Sequence, residues 1–563
     1  MTAFLTDNLP LLAGAPNGIK KLRELILELA VRGKLVPQDT NDEPASELLK
    51  RIAEEKARSV AAGKKVKQQA DINDKEQPFS VPQGWSWVRL GSCLEMINGR
   101  AFKPTEWIGA GLPIVRIQNL NKPDAPFNYC DPDTVDDRHI IDTGTILISW
   151  SGTPGTSFGA FIWERGKAAL NQHIFSCSQV GDAFFDKFLK LAINTRLEEL
   201  IAKAHGGVGL QHVTKGKLEA LTLVLPPLAE QRRIVAKVDE LMALCDRLEA
   251  RQTDADSAHA QLVQALLDSL TQACDAKDFA QSWQRLAEHF HTLFTTESSI
   301  DALKQTLMQL AVMGKLVPQD PSDEPASELL TRIAESSEEL IAGKKAKKSS
   351  AKTGLAVQGV DGIGLPATWV WAAFDDLINP EYPIAYGVLV PGPDVVDGIP
   401  FVRIADLDLV APPAKPEKSI SPEVDSQFER TRVRGGEILM GVVGSVGKLG
   451  IAPDTWAGAN IARAICRIVP CDYVSKSYIL WLLQSDLMRK QFLGDTRTLA
   501  QPTLNVGLIR SASTPLPPLA EQHRIVAKVD ELMALCDQLK ARLNQARQVH
   551  EQLANALVEQ AVA

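Results

Sequence analysis

The segment Gly441-Val-Val-Gly-Ser-Val-Gly-Lys448 has the glycines and the lysine with which a loop cradles phosphate. That chemistry needs four residues between the outer glycines and a Ser or Thr after the Lys. Here five residues separate Gly441 from Gly447, and Leu449 follows. The corresponding stretch Ser151-Gly-Thr-Pro-Gly155 has no Lys at all, so nucleotide binding is not expected. Pro416-Glu-Lys418 matches one fragment of a nuclease centre, but no well-placed Asp or second carboxylate accompanies it. The nine histidines show no metal-ligand spacing, and neither an amino-methyltransferase motif nor a Gly-rich methyl-donor loop is present. No catalytic residue and no metal site is expected in this chain.

What remains is a matched set of polar, glycine-rich loops. One pair is Ser149–Gly159 and Gly441–Gly450; the other is Lys203–Lys217 and Gly494–Asn505. Close backbone approach combined with Arg, Lys, Gln, Asn and His suits reading base edges and gripping phosphate. The candidate DNA-contacting residues in the first half are Asn98, Arg100, Lys103, Arg116, Gln118, Asn119, Ser151, Thr153, Thr156, His205, Gln211, His212, Lys215 and Lys217. In the second half they are Tyr386, Arg403, Ser445, Lys448, Arg463, Arg497, Gln501 and Asn505. Surface loops are polar by default, so for any single residue an ordinary solvated role competes with base contact.

The elements that must position these loops are written twice. Gly33–Glu54 matches Gly314–Glu335 at 19 of 22 positions, and Leu225–Arg251 matches Leu516–Arg542 at 24 of 27. The offsets are 281 and 291, so a unit of roughly 285 residues is repeated in tandem. Between the repeats lie segments with little identity but a shared frame. Trp85 and Trp87 answer to Trp369 and Trp371, Pro113–Ile117 to Pro400–Ile404, and Thr145–Ser149 to Glu437–Gly441. One fold with two different surfaces follows: a scaffold held constant by shared partners, and inserts free to recognise different things.

The repeats read as helices. After Pro226-Pro227, Ile234, Val238, Leu241, Cys245 and Leu248 form a heptad seam, repeated at Ile525, Val529, Leu532, Cys536 and Leu539. Continued through Leu262, Leu266 and Leu270, the first helix could run ~40 residues, or ~60 Å. The other block carries Leu22, Ile26 and Leu29, echoed by Leu303, Leu307 and Leu310, and ends at Gly33 or Gly314 as C-cap. The two kinds of helix should pack as antiparallel pairs. In mid-chain one block runs into the other, whereas at the termini they are split, so a ring with pseudo-twofold symmetry is expected.

The fold class expected is α+β: two similar α/β domains separated by two long antiparallel coiled-coil connectors, as an internal repeat in circular arrangement. The divisions are 1–76, a helical block and linker; 77–224, the first variable domain; 225–363, the central helical spacer and linker; 364–515, the second variable domain; and 516–563, the terminal helix. The Lys-rich runs after Gly63 and Gly343 read as solvated linkers.

Composition bounds the rest. At 563 residues, 45% hydrophobic and 23% charged, the chain is that of a multidomain globular protein. It has no run of about 18 apolar residues and no basic segment ahead of a hydrophobic one, so no membrane association and a cytoplasmic location are expected. Its eight cysteines form no CxxC and should be reduced and metal-free. The net charge of −8 argues weakly against a polyanion binder. Ser80–Leu228 carries 14 basic against 14 acidic residues and Leu365–Pro518 carries 14 against 16, so neither domain is basic overall. Any phosphate neutralisation must come from locally concentrated Arg and Lys.

The duplicated LPPLAEQ block (Leu225–Gln231, Leu516–Gln522) with its heptad helix, the duplicated GKLVPQ block, and the Pro-x-x-Trp segments Pro82–Trp85 and Pro366–Trp369 resemble the DNA-specificity subunit of type I restriction-modification systems over nearly the full chain. The resemblance implies two target-recognition domains, each reading one half of a bipartite, asymmetric DNA site, on helices that set the gap. It implies one copy per complex, docked with two methylation and two restriction subunits on double-stranded DNA. S-adenosylmethionine, ATP and Mg would belong to those partners, with no cofactor in this chain. The long N-terminal helical block departs from many members and marks a subgroup. The alternative from a different class is a symmetric coiled-coil scaffold whose inserts bind proteins, favoured by the acidic balance and opposed by the Arg-bearing loops.

Overall fold

A computed structural model of the protein describes residues 2–63, 69–122, 124–152, 158–203, 211–212, 214–273, 275–343, 354–494 and 503–562. The chain falls into two units, Met1–Asp254 with Ala546–Ala563, and Ala255–Gln545. Both chain ends therefore belong to the first unit. There Lys21 pairs with Glu551 at 3.1 Å, and Lys34 Nζ donates to the Val562 carbonyl at 2.8 Å. The second unit repeats the latter contact with Lys315 and the Thr271 carbonyl, also at 2.8 Å.

Each LPPLAEQ block opens a helix of 44 residues, Leu228–Thr271 and Leu519–Val562. At 1.5 Å per residue each is about 66 Å long. The proline carbonyl ahead of each start takes the first helical hydrogen bond, from Gln231 N–H at 3.0 Å and from Gln522 N–H at 2.9 Å. The absence of Gly or Pro thereafter lets the helix run on. Ile234 and Val238, like Ile525, Val529 and Leu532, are buried in the cores of their units, and Leu241, Leu248 and Leu539 pack at the edges.

The seam does not continue through Leu262, which is exposed; Leu270 is buried as expected and Leu266 partly so, but Val263 and Leu267 are buried beside them. A straight helix drifts about 20° per heptad, which carries the apolar face one residue round.

The GKLVP blocks form helices Gly18–Val31 and Glu297–Val312, and Leu22, Ile26, Leu29, Leu303, Leu307 and Leu310 are buried. In the second unit this helix runs opposite to the start of the long one. Asp301 meets Lys540 at 3.4 Å, Lys304 meets Asp537, and Asp323, further on, meets Arg524. Gly33 and Gly314 terminate the helices at φ +71° and +70°, the left-handed region open to glycine. Between the long helix and Glu297–Val312 the chain inserts Ala276–Ala287 and Phe290–Leu293, and the rings of Phe279, Trp283, Phe290 and, just beyond, Phe294 pack in tilted and edge-to-face contacts.

The two variable segments share a common strand frame. Each enters and leaves on adjacent antiparallel strands, Ser86–Arg89 with Thr222–Leu225 and Val370–Ala373 with Ser513–Leu516. Inside lies a four-stranded antiparallel sheet. In spatial order it is Leu94–Asn98, Ile174–Gln179, Ile146–Ser149 and Gly159–Ile162; in the second unit it is Ala385–Tyr386, Ile465–Ile468, Ile438–Gly441 and Leu449–Ile451. A second sheet, of four strands in the first segment and three in the second, holds a parallel pairing in each, Leu112–Val115 with Ala168–Leu170 and Ile399–Val402 with Asn460–Ile461. The molecule is thus a mixed helix and strand protein with two such domains.

Candidate nucleic-acid interface

The motifs that recur in the sequence meet at one junction in each unit. Trp85 Nε1 donates to Glu230 Oε2 at 2.8 Å, and Trp369 Nε1 to Glu521 Oε2 at 3.0 Å, with both carboxylates buried. A Cβ on Gly33 or Gly314 would fall 2.4 Å from Pro82 or Pro366, so the glycine is needed for contact as well as for its φ. Gln231 Oε1 accepts from Phe185 N–H at 2.7 Å, and Gln522 Oε1 from Ser475 N–H at 2.8 Å. Arg233 and Arg524 fork onto Asp42 and Asp323, which hold the guanidinium pKa values up. Burial raises the Glu230 and Glu521 carboxyls above their ordinary value, and donation from the tryptophans opposes it. Pro-x-x-Trp, GKLVPQD and LPPLAEQ are therefore one clip that fixes each variable domain to its helices.

At the far end of the four-stranded sheet the two candidate loops of each domain come together. Ser151 and Gly152 pair antiparallel with His212 and Gln211. In the second domain Val443 bridges Thr503, and Leu504 N–H donates to Val442 O at 2.8 Å. Thr153, Thr156, His205, Arg497 and Gln501 lie outside the described residues, as do the Lys-rich runs 64–67 and 344–348.

Around these pairings several candidates project outward. Asn98 is exposed and its Oδ1 accepts from Trp150 Nε1 at 3.2 Å. Lys103, Gln118, Lys217, Ser445, Arg463 and Asn505 are exposed as well. Lys215 donates to Met96 O at 2.8 Å and Lys448 to Ile404 O at 2.9 Å, which holds both ammonium groups near their loops. The Gly441–Lys448 segment turns back into strand Leu449–Ile451 instead of opening a helix, unlike a phosphate-binding loop.

Other candidates serve the scaffold. Asn119 is 1% exposed; its Oδ1 accepts from Arg116 N–H, and its Nδ2 donates to Ala125 O and Pro126 O. The Tyr386 hydroxyl donates to Leu504 O at 2.9 Å and accepts from Val506 N–H at 2.7 Å, so it clips the second loop in place. Arg100 is held by Glu106 and lies over Phe102, while Arg403 contacts Asp406 and Glu417. Arg116 lies over Trp107 with its ring centroid at 5.6 Å.

Trp150, Gln172 and His173 were not singled out by sequence. Trp150 sits at the foot of the first loop, 5.4 Å from the His173 ring. Gln172 occupies the same turn position as Arg463, an equivalence visible only once strand register is known.

The described cysteines are buried, and burial pushes the Cys93 and Cys466 thiols up to about 12, which keeps these two in the unreactive protonated form. Among the described residues no group of three or more His, Cys, Asp or Glu could hold a metal, and no helix is long and apolar enough to cross a membrane.

Two domains on a common strand frame, each with paired polar loops on a duplicated helical clip, define a protein whose business is recognition. The family model described as type I restriction modification DNA specificity domain matches residues 82–255 and 394–547, and the chain belongs to that family. It is similar to the type I restriction enzyme EcoAI specificity subunit of Escherichia coli, at 34% identity over 97% of this chain and 94% of that one. The EcoEI specificity subunit of Escherichia coli matches at 34% identity with the same coverage. Among solved structures, the HsdS subunit from Thermoanaerobacter tengcongensis aligns with a TM-score of 0.42 and 20% identity, covering 86% of this chain and 98% of that one.

Proposed function

We propose that each variable domain reads one half of a bipartite, asymmetric DNA site, and that the helices fix the distance between the halves. The observation that carries this is the meeting of the two polar loops at one place in both domains, Ser151 with His212 and Val443 with Thr503. It supports one reading surface per domain, built on a similar sheet and held by helical blocks near-identical in the two copies, while the exposed side chains differ. The reading set is Asn98, Lys103, Gln118, Lys215 and Lys217 in the first domain and Ser445, Lys448, Arg463 and Asn505 in the second.

The chain supplies recognition, and partners supply chemistry: two methylation subunits on the two equivalent clips, and restriction subunits recruited to them. S-adenosylmethionine, ATP and Mg belong to those partners. The near-identity of the two clips supports equivalent docking, one copy of this chain per assembly, and a circular, pseudo-twofold arrangement in which the long helices act as coiled-coil connectors. A cytoplasmic location follows from that role. Exchanging residues 77–224 for the recognition domain of another specificity subunit tests the proposal: one half of the methylated site should change.

A further inference from the structure

Each recognition domain contains one rigid turn with a different side chain at its tip. In the first, Ile174 N–H donates to Asn171 O at 3.2 Å; in the second, Ile465 N–H donates to Ala462 O at 2.9 Å. The same neighbours hold both turns. Asn171 N–H donates to Val115 O at 3.1 Å and Ala462 N–H to Val402 O at 2.9 Å. Trp150 N–H reaches His173 O at 3.3 Å, and Val442 N–H reaches Ala464 O at 2.8 Å.

A glycine permits the remaining approach in each case. A Cβ on Gly99 would stand 2.2 Å from Asn171 O, and one on Gly387 would stand 1.8 Å from Ile461 O. The backbone at the tip is therefore over-determined from three sides, and the residue after Asn171 or Ala462 projects from a fixed point. That residue is Gln172 in the first domain and Arg463 in the second, both exposed. Trp150 and Val442, bonded to these turns, immediately precede the residues that pair the two loops.

A Gln amide offers one acceptor and one donor in a plane, which matches the N6 and N7 edge of adenine. An Arg fork offers parallel donors that match O6 and N7 of guanine. Reading side chains work best on rigid elements.

We infer that this turn position determines specificity in both domains, with Gln172 selecting adenine and Arg463 selecting guanine at one base pair of their respective half-sites. The inference rests on the proposed DNA-reading role of the loops. The competing role for Arg463 is a phosphate contact, which would carry no sequence information.

The test uses the full-length chain assembled with its methylation subunits, reading out the methylated sequences. Arg463→Gln should lower discrimination for guanine at one position of one half-site by about 10- to 100-fold and leave the other half unchanged. Gln172→Arg should do the reciprocal in the other half. An unchanged methylated sequence overturns the inference. So does weakening that is uniform across sequences, with the salt slope reduced by about 1, because that is the signature of a phosphate contact. If a variant abolishes methylation, the relative affinity of the assembled complex for duplexes altered one base pair at a time gives the same decision. A wild-type complex that methylates without sequence preference would instead refute the proposed function.

Discussion

Replacing Trp369 by Phe removes a single indole N–H from a buried carboxylate. In the native clip that group donates to Glu521 Oε2 at 3.0 Å, with Trp369 4% and Glu521 1% exposed. A hydrogen bond to a charged group contributes about 1.5–3 kcal/mol. The smaller ring leaves a void costing about 1–2 kcal/mol more, so the second unit should lose about 2.5–5 kcal/mol. The loss should also depend on pH. Burial already holds the folded Glu521 pKa above its ordinary 4.5, and Trp369 is the first of the groups that pull it back. A raised folded pKa means that the group's contribution is fully present below the unfolded value and is lost as pH rises through the folded one. Without Trp369 that folded value rises further, so the variant's deficit should be larger at about pH 8 than at about pH 5. Hydrogen exchange resolves the effect, because the two copies of the helix start differ at Arg232 and His523 and give peptides of different mass. Protection should fall in the second copy and hold in the first. A deficit below about 1 kcal/mol, or one equal at both pH values, would refute the reasoning.

Gly314→Ala should cost the second unit about 2–4 kcal/mol, because it combines a left-handed φ with a 2.4 Å approach to Pro366. Gly84→Ala, also at positive φ but with nothing within 4 Å, should cost about 1 kcal/mol in thermal unfolding, so the difference isolates the contact. Inserting one helical turn after Leu248 adds about 5.4 Å and should lengthen the preferred gap by about one to two base pairs with both half-sites kept. Unchanged spacing in a methylation assay would end the ruler idea.

The scaffold was legible because its rules are local. A duplicated sequence announces a duplicated fold, Gly33 and Gly314 sit where only a left-handed residue ends a helix well, and the apolar spacing at Ile234 and Val238 marks a buried face. Leu262 was misplaced because helical drift accumulates along a long helix and its surroundings change. The candidate reading surface was only half legible. Polar loops stand out by composition, but a polar side chain such as Asn119 can be consumed by nearby backbone carbonyls, and sequence does not distinguish that use from an exposed one. Pairing Ser151 with His212, or equating Gln172 with Arg463, requires the order and register of strands distant in sequence. The clip was visible only in pieces: Trp85 and Glu230 were each repeated, but nothing local shows that one donates to the other.

The near-zero charge of each domain remains consistent with DNA recognition if the cations are concentrated where the loops meet. Lys215, Lys217, Lys448 and Arg463 lie at those loops or beside them. The acidic residues nearby in the fold are partly spent on other arginines, as with Glu106 on Arg100 and Glu417 on Arg403.

The most direct measurement is the set of methylated sequences made by the assembled complex before and after residues 77–224 are exchanged for a foreign recognition domain. The expected result is a two-part site in which one half is replaced, while the other half and the gap stay as they were. Replacement of both halves, or of neither, would contradict the assignment of one reader to each half-site.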